Sequence, residues 1–278
     1  MTTSTPPSKV TRGKTAAGRL RLVDEWLCHR LTRAMPSSLH VVDVGFGETP
    51  STSLDWRQAL LSVGVDAVDL LATDTHARRV EDAQHHAASD VRFACDGFDL
   101  PSVDDNSVDV VRAMNVLRQY APDACAAVHQ QLAAKLKDGG LLLEGTSDKF
   151  GDLVAFHVFR RRQRQLQREA LVFCISGQKG FGPWQLRDVL PQDVRRQVRP
   201  QTLLHSFFST WTEAARTVRT PETSHVEVFA ASVQRLIDDG VPIESRTSFS
   251  GVSATWSPTT RASPDALLRV DVEDDTLA

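Results

Sequence analysis

The sequence predicts an α/β domain built on an open, mostly parallel sheet, and three observations predict it. Between residues 39 and 143, short β-rich runs alternate with segments of helical periodicity, which is the pattern of βαβ units. The first of these runs leads through two glycines, in Asp43-Val-Gly-Phe-Gly-Glu-Thr-Pro50, straight into a helical segment. The composition is that of an ordinary globular chain, with 278 residues, 41% hydrophobic and 24% charged, enough apolar material for one sizeable core.

The elements follow in order. Residues 1–14 are rich in Thr, Ser, Pro and Lys and are expected to form a flexible basic terminus. Lys9, Arg12, Lys14, Arg19 and Arg21 occur there without an intervening acid, as a solvated arm or as a lid over an anionic group. Leu20, Val23, Leu27 and Leu31 recur at helical spacing until Pro36. Strands are expected at 39–44, 68–73, 91–94, 108–113 and 141–143. A helix through Trp56, Leu60 and Leu61, another over 77–88 and a third through Cys125, Val128, Leu132 and Leu136 lie between them, the last closed by Gly139-Gly140. Runs at 153–159 and 170–175 flank the polar stretch 160–168 and read as an antiparallel hairpin at the sheet edge. Two amphipathic helices follow, through Leu204, Phe207, Phe208, Trp211, Ala215 and Val218, and through Val226, Phe229, Ala230, Val233 and Ile237. The organisation expected is one domain over 15–244, with a ligand-binding core at 39–145, the hairpin at 152–176 and covering helices at 201–239. Residues 245–278 should be a disordered acidic tail.

The composition also excludes classes of function. No apolar run approaches the roughly 20 residues of a membrane span, and the N-terminal segment lacks the apolar stretch of a signal peptide, so a cytoplasmic protein is expected. Cys28, Cys95, Cys125 and Cys174 are scattered in apolar stretches, without a C-x-x-C pair or a histidine at ligand spacing. They are expected to be buried small hydrophobes, with no disulfide framework and no metal site. A net charge of −3 gives no case for whole-surface nucleic-acid binding.

The glycine turn carries the chemistry. Gly45 and Gly47 have no Cβ to block a ligand's approach to the backbone, and Thr49-Pro50 reads as an N-cap followed by a first-turn proline. A dinucleotide fingerprint would need a third glycine where Pro50 stands. Asp43 and Glu48 add carboxylates that are unfavourable beside a phosphate. A zwitterion with an ammonium and a sulfonium, such as S-adenosylmethionine, suits them better. Asp74 ends the second strand, where it could accept from ribose hydroxyls. Asp96-Gly97-Phe98 ends the third, with a carboxylate for an adenine amino group and a ring to pack on the base.

With those residues in place, the segments Val-Val-Asp-Val-Gly-Phe-Gly47, Leu-Leu-Ala-Thr-Asp74, Cys-Asp-Gly-Phe-Asp-Leu-Pro101, Ser-Val-Asp-Val-Val-Arg-Ala-Met-Asn-Val-Leu117 and Leu-Lys-Asp-Gly-Gly-Leu-Leu-Leu143 resemble the class I S-adenosylmethionine-dependent methyltransferases over residues 39–145. Arg-Ala-Met-Asn-Val-Leu-Arg-Gln-Tyr120 and Leu-Leu-Glu-Gly-Thr-Ser-Asp-Lys149 further resemble an actinobacterial methyltransferase-like group. The resemblance implies a Rossmann-like seven-stranded sheet with one antiparallel strand, and cofactor contacts at Asp43, Gly45, Gly47, Asp74, Asp96 and Phe98. Thr49 departs from the third small position of the family's glycine loop. For the acceptor side, the ends of the fourth and fifth strands offer Asn115, Arg118 and Tyr120, and Glu144 and Asp148. Glu144 is the candidate base, Asn115 a candidate for orienting the acceptor as well as touching the cofactor, and Arg118 a clamp for an anionic substrate. The activity expected is methyl transfer to a small molecule. The alternatives are an RNA methyltransferase, suggested by the basic stretch 160–168, and a non-catalytic protein that binds the cofactor only.

Overall fold

The computed structural model describes residues 16–32, 36–241, 243–248 and 251–256. β1 (Ser38–Val44), β2 (Ala67–Thr73), β3 (Val91–Ala94), β4 (Val108–Met114) and β5 (Leu136–Ser147) form the parallel half of one sheet. β1 and β2 are buried on both faces over their last four residues, as strands covered by helices on both sides must be. β6 (Leu153–Arg162) turns back antiparallel to β5, and β7 (Gln165–Ile175) pairs antiparallel with β6. Beyond it lie β9 (Gly251–Trp256) and then β8 (Ile243–Ser248), giving the order β3-β2-β1-β4-β5-β6-β7-β9-β8. Every pair from β5 outward is antiparallel, so seven of the nine strands share one direction and β6 and β9 oppose it.

The antiparallel edge is therefore broader than the single hairpin expected, and the sheet exceeds the seven strands that the resemblance implied. Residues 245–248 and 251–256 fall within the expected tail but pair in β8 and β9, because their backbone groups complete the ladder that β7 would leave open. The rest of that tail and the basic residues Lys9, Arg12 and Lys14 lie outside the described residues.

Helices cover both faces. α1 (Arg21–Leu31), α2 (Ser51–Ser62) and α3 (Ala77–Ala83) contribute Trp26, Trp56 and Val80 to a core with Val41, Leu70 and Val110 of the sheet. Val42, Val44 and Leu142, pointing the other way, pack with Cys125, Val128 and Leu132 of α4 (Pro122–Lys135). On the same face of the antiparallel half, a single-turn helix α5 (Gln192–Arg195) is followed by α6 (Leu203–Val218) and α7 (His225–Asp238). α6 and α7 bury Phe207, Phe208, Trp211 and Phe229 against Leu171 and Phe173 of β7. Thr202 caps α6, and a reciprocal Ser224–Glu227 capping box starts α7. No helix among the described residues is long and apolar enough to cross a membrane. Three cysteines are buried as expected, but Cys95 is exposed.

Candidate cofactor crevice

β1 lies between β2 and β4, so the connections leaving β1 and β4 diverge to opposite sides. In an open α/β sheet a crevice opens at such a switch point, outside the carboxyl ends of the strands. The glycine turn stands there. Gly45 (φ +78°) and Gly47 (φ +85°) both take the left-handed conformation. The turn is pinned to the end of β2, because Gly45 and Phe46 donate their amides to the Thr73 carbonyl, at 2.7 and 3.1 Å. Gly47 donates to Asp74 Oδ2 at 3.1 Å. Phe46 is buried edge-on against Phe93, whereas Glu48 and Thr49 face solvent.

Several expected roles change at this turn. A Cβ on Gly45 would come within 2.8 Å of Val116 Cγ2, so the space beside it is filled by protein rather than kept for a ligand. Thr49 is not the cap of α2: the helix begins at Ser51 after Pro50 with no side-chain cap, and the Thr49 hydroxyl sits 3.2 Å from that of Ser51. Asp43 does not face the crevice as a free carboxylate. It is buried, and its oxygens accept from Ser53 Oγ (2.6 Å) and from Arg112 Nε (2.9 Å) and Nη2 (2.7 Å). Asp43 and Arg112 are register partners on β1 and β4, so both side chains project to the α1–α2 face, where Asp24 takes the third guanidinium nitrogen, Nη1. Burial alone would lower the Arg112 pKa, but Asp43 and then Asp24 outweigh it and raise it.

Other residues do gather on the rim. Asp74 is buried and braces the loop, with Oδ1 accepting from the His76 amide (2.9 Å) and Oδ2 near Arg79 (3.4 Å). Asp96 accepts from the Ser102 amide and hydroxyl, both at 3.0 Å, which folds the chain back behind Gly97. Phe98 is half-buried and meets Tyr120 edge-on, ring centroids 5.3 Å apart, so the ends of β3 and β4 converge through two aromatic rings. Asn115 follows β4 with φ +65° and accepts the Ser147 amide at 2.9 Å. Arg118 is exposed beside it.

Arg19, which the sequence offered only as part of a solvated arm or of a lid over an anionic group, stands on the rim. It is not part of a solvated arm: its guanidinium bonds the Asp148 carbonyl (2.9 Å), Ser147 Oγ (3.0 Å) and Asn115 Oδ1 (3.3 Å), strapping the ends of β4 and β5 together. Burial, and then the neighbouring Arg118, lower its pKa, while Asp148 opposes them. The only trace in the sequence is that Arg19 adjoins Leu20, where the apolar spacing begins. Asp148 is already engaged, accepting from the Asp152 amide and from Lys179 Nζ. Burial would raise its pKa, but Lys179 and the Asp152 amide prevail and hold it below the usual carboxylate range.

Glu144 is a correction. It is 1% exposed, its cross-strand partner is His157 of the hairpin, and it points to the α4 face instead of lining an acceptor pocket. β5 carries alternating faces there, and Glu144 takes the one shared with Leu142. The basic hairpin is also less available than its sequence suggests. Arg160 is committed to Glu169 and the Gly139 carbonyl, Arg161 to the Leu136 carbonyl and Arg168 to Asp193. Arg162 is exposed but lies 3.6 Å from Glu169, and Arg164 stands at the exposed tip.

No family model matches the chain, and no curated protein matches it. Solved structures do. A candidate S-adenosylmethionine-dependent methyltransferase from Listeria monocytogenes is 17% identical with a TM-score of 0.33, the match covering 46% of this chain and 54% of that one. The citrinin polyketide synthase CMeT domain is 16% identical, TM-score 0.40, covering 48% and 36%. A candidate S-adenosyl-L-methionine-dependent methyltransferase from Methanococcus maripaludis is 16% identical, TM-score 0.38, covering 88% and 89%. The chain thus spans about half or less of the first two structures it matches, 54% and 36%. At these values the likenesses carry no argument about activity, and the site stands on its own topology and chemistry.

Proposed function

We propose that the chain binds S-adenosylmethionine in this crevice and transfers its methyl group to a small-molecule acceptor. One observation carries the reading: the switch between β1 and β4 brings the glycine turn, Asp74, Asp96–Phe98 and Asn115 to one rim. The residues fit such a ligand. The exposed part of the turn, Gly47 to Thr49, offers backbone to the methionyl end, Glu48 offers a carboxylate to its ammonium, and Asp74 stands for the ribose. Asp96 and Phe98 stand for the adenine. Asp43, neutralised by Arg112, contributes to neither side of the choice between a sulfonium and a phosphate ligand. Glu48, exposed on the turn, still disfavours the phosphate.

When bound, the sulfonium supplies a methyl group for displacement, with a neutral thioether as leaving group. The chain's part is alignment. Arg19 and Asn115 fix the ends of β4 and β5 against each other, so that the acceptor is held by a rigid edge. Arg118, exposed next to that strap, suits an acceptor bearing an acidic group. With Glu144 buried and Asp148 paired with Lys179, neither of these two carboxylates at the end of β5 and just beyond it serves as a base there, so we assign the transfer to proximity and orientation.

That same absence of a base supports the second reading, a protein that binds the cofactor without turnover, and turnover across acceptor panels separates the two. Calorimetry tests the shared step. S-adenosylmethionine and S-adenosylhomocysteine should bind while NAD does not, and Phe98→Ala should weaken both by about tenfold, the worth of a stacked ring. A folded wild-type chain that binds neither overturns the proposal.

A further inference from the structure

A separate group of polar side chains lies beneath the α4 face of the sheet. Along β6, Ala155 belongs to the apolar cluster under α6 and α7, and Phe159 to the cluster under α4. His157 stands between them on the same face, in the seam between two apolar cores. Glu144 of β5 is its cross-strand partner, His129 comes from α4 and Asp193 from α5. His157 is 0% exposed, Glu144 1% and His129 7%.

The geometry of these groups is compact. One ligand atom from each of Glu144, His157 and Asp193 lies within 4.8 Å of the other two. His157 Nε2 is 2.9 Å from Asp193 Oδ1, and His129 Nε2 is 3.5 Å from Glu144 Oε2. At that distance His129 Nε2 still makes no hydrogen bond, so a buried imidazole nitrogen is aimed at a buried carboxylate without being satisfied by it. Phe159 walls the group, with its ring 4.9 Å from that of His129 and 5.1 Å from that of His157. Ligand atoms about 2.0–2.2 Å from a zinc ion stand roughly 3.3 Å apart in a tetrahedron, and the two observed separations fall on either side of that value.

We propose that His129, Glu144, His157 and Asp193 form a binding site for a divalent first-row transition ion, zinc above all, which fastens α4 and α5 to the β5–β6 strand pair. Two imidazoles with two carboxylates are ligands such ions accept, whereas calcium and magnesium favour oxygen alone. Arg168 donates to Asp193 Oδ2 at 3.2 Å, which leaves Oδ1 for the ion and orients the carboxylate as an outer partner does. Glu144, His157 and Asp193 supply three ligands as they stand, and His129, 3.5 Å from Glu144, supplies the fourth by closing on the ion; four protein ligands leave no open position, so the ion is structural. Asp193, whose side chain is 21% exposed, is the way in. Its neighbour Gln192 donates to the Tyr120 carbonyl at 3.2 Å, so an ion that orders α5 also steadies the crevice rim. The expectation of no metal site rested on the cysteines, and none of these ligands is a cysteine.

Untagged protein, stripped with a chelator and titrated with zinc, should take up one ion per chain and melt at a higher temperature. Cobalt(II) in its place should show the intense visible absorption of a four-coordinate centre. Asp193→Asn and His129→Gln should each lower zinc affinity at least about tenfold. Replacing the exposed pair His85 and His86, in the turn after α3 and remote from β5 and β6, by alanine should leave affinity unchanged. Absence of stoichiometric uptake by the wild-type chain, or uptake that disappears only with His85 and His86, overturns the site. The wild-type stoichiometry and the cobalt spectrum decide the matter even if one ligand variant fails to fold.

Discussion

Arg112 is fully buried, its guanidinium divided between Asp43 and Asp24 and lying 4.4 Å over the Trp56 ring. Desolvating three charges is costly, and such a network holds only because each donor finds an acceptor, the Thr52 carbonyl included. Two carboxylates share one cation, and the difference falls on Asp24. Burial lifts its carboxyl to about 7, with Arg112 opposing and Asp43 adding to the rise. An unfolded aspartate titrates near ~3.9, so the folded chain keeps a proton there that the unfolded chain has released. The stability from this proton is complete below about pH 4 and is lost as pH rises through about 7. Asp24→Asn, which still accepts from Arg112, should flatten the fall in urea midpoint between about pH 4 and pH 7. An unchanged slope would show that another group carries it.

The β6–β7 hairpin shows how charge and backbone are sorted within one element. Gln163 and Arg164 both take positive φ, 49° and 68°, so the strands join through a two-residue turn whose twist matches theirs. Arg162→Ser and Arg164→Ser should change the unfolding free energy by no more than about 0.5 kcal/mol. Arg161→Ser should cost about 1–3 kcal/mol, because it leaves the buried Leu136 carbonyl without its donor. Urea titration of the three variants checks this, and equal costs would mean that the tip is part of the fold. The run Arg160 to Arg168 looked uniform in sequence, because partners such as Leu136, 25 positions away from Arg161, leave no local mark. The same holds for Asp43, whose partner Arg112 is 69 positions distant. Apolar runs were legible: β1 to β4 and the helices α6 and α7 lie within a few residues of their expected limits. β5 was read as 141–143 because Lys137 to Gly140 resemble a helix end, yet the strand starts at Leu136. β8 and β9 escaped because their Ser- and Thr-rich segments look like loop until β7 offers them a ladder.

At the scale of the molecule, the sheet has a crevice-bearing parallel half and an antiparallel half, held together unequally on its two faces. On the α1 face one apolar cluster runs across both, from Val41 and Leu70 to Phe156 and Val172, with Trp26 edge-on to Phe156. On the other face the apolar clusters are separate, and the seam between them holds Glu144, His157 and Asp193. β9 and β8 lie at the far end of this arrangement, touching the rest of the sheet through β7 alone. Opening of the outer strands should therefore be local, since the crevice strands share no apolar cluster with Ile243 or Ala254. Ala254→Asp tests this. The new carboxylate would lie at a position 1% exposed, opposite Phe173 and among the apolar side chains that α6 and α7 pack on the sheet. In hydrogen exchange the amides of β8 and β9 should lose protection and protease should cut between residues 239 and 251, while amides of β1 and β2 stay protected. If protection falls together across β1 and β9, the apolar cluster on the α1 face couples the two halves more strongly than the polar seam divides them, and the sheet unfolds as one unit.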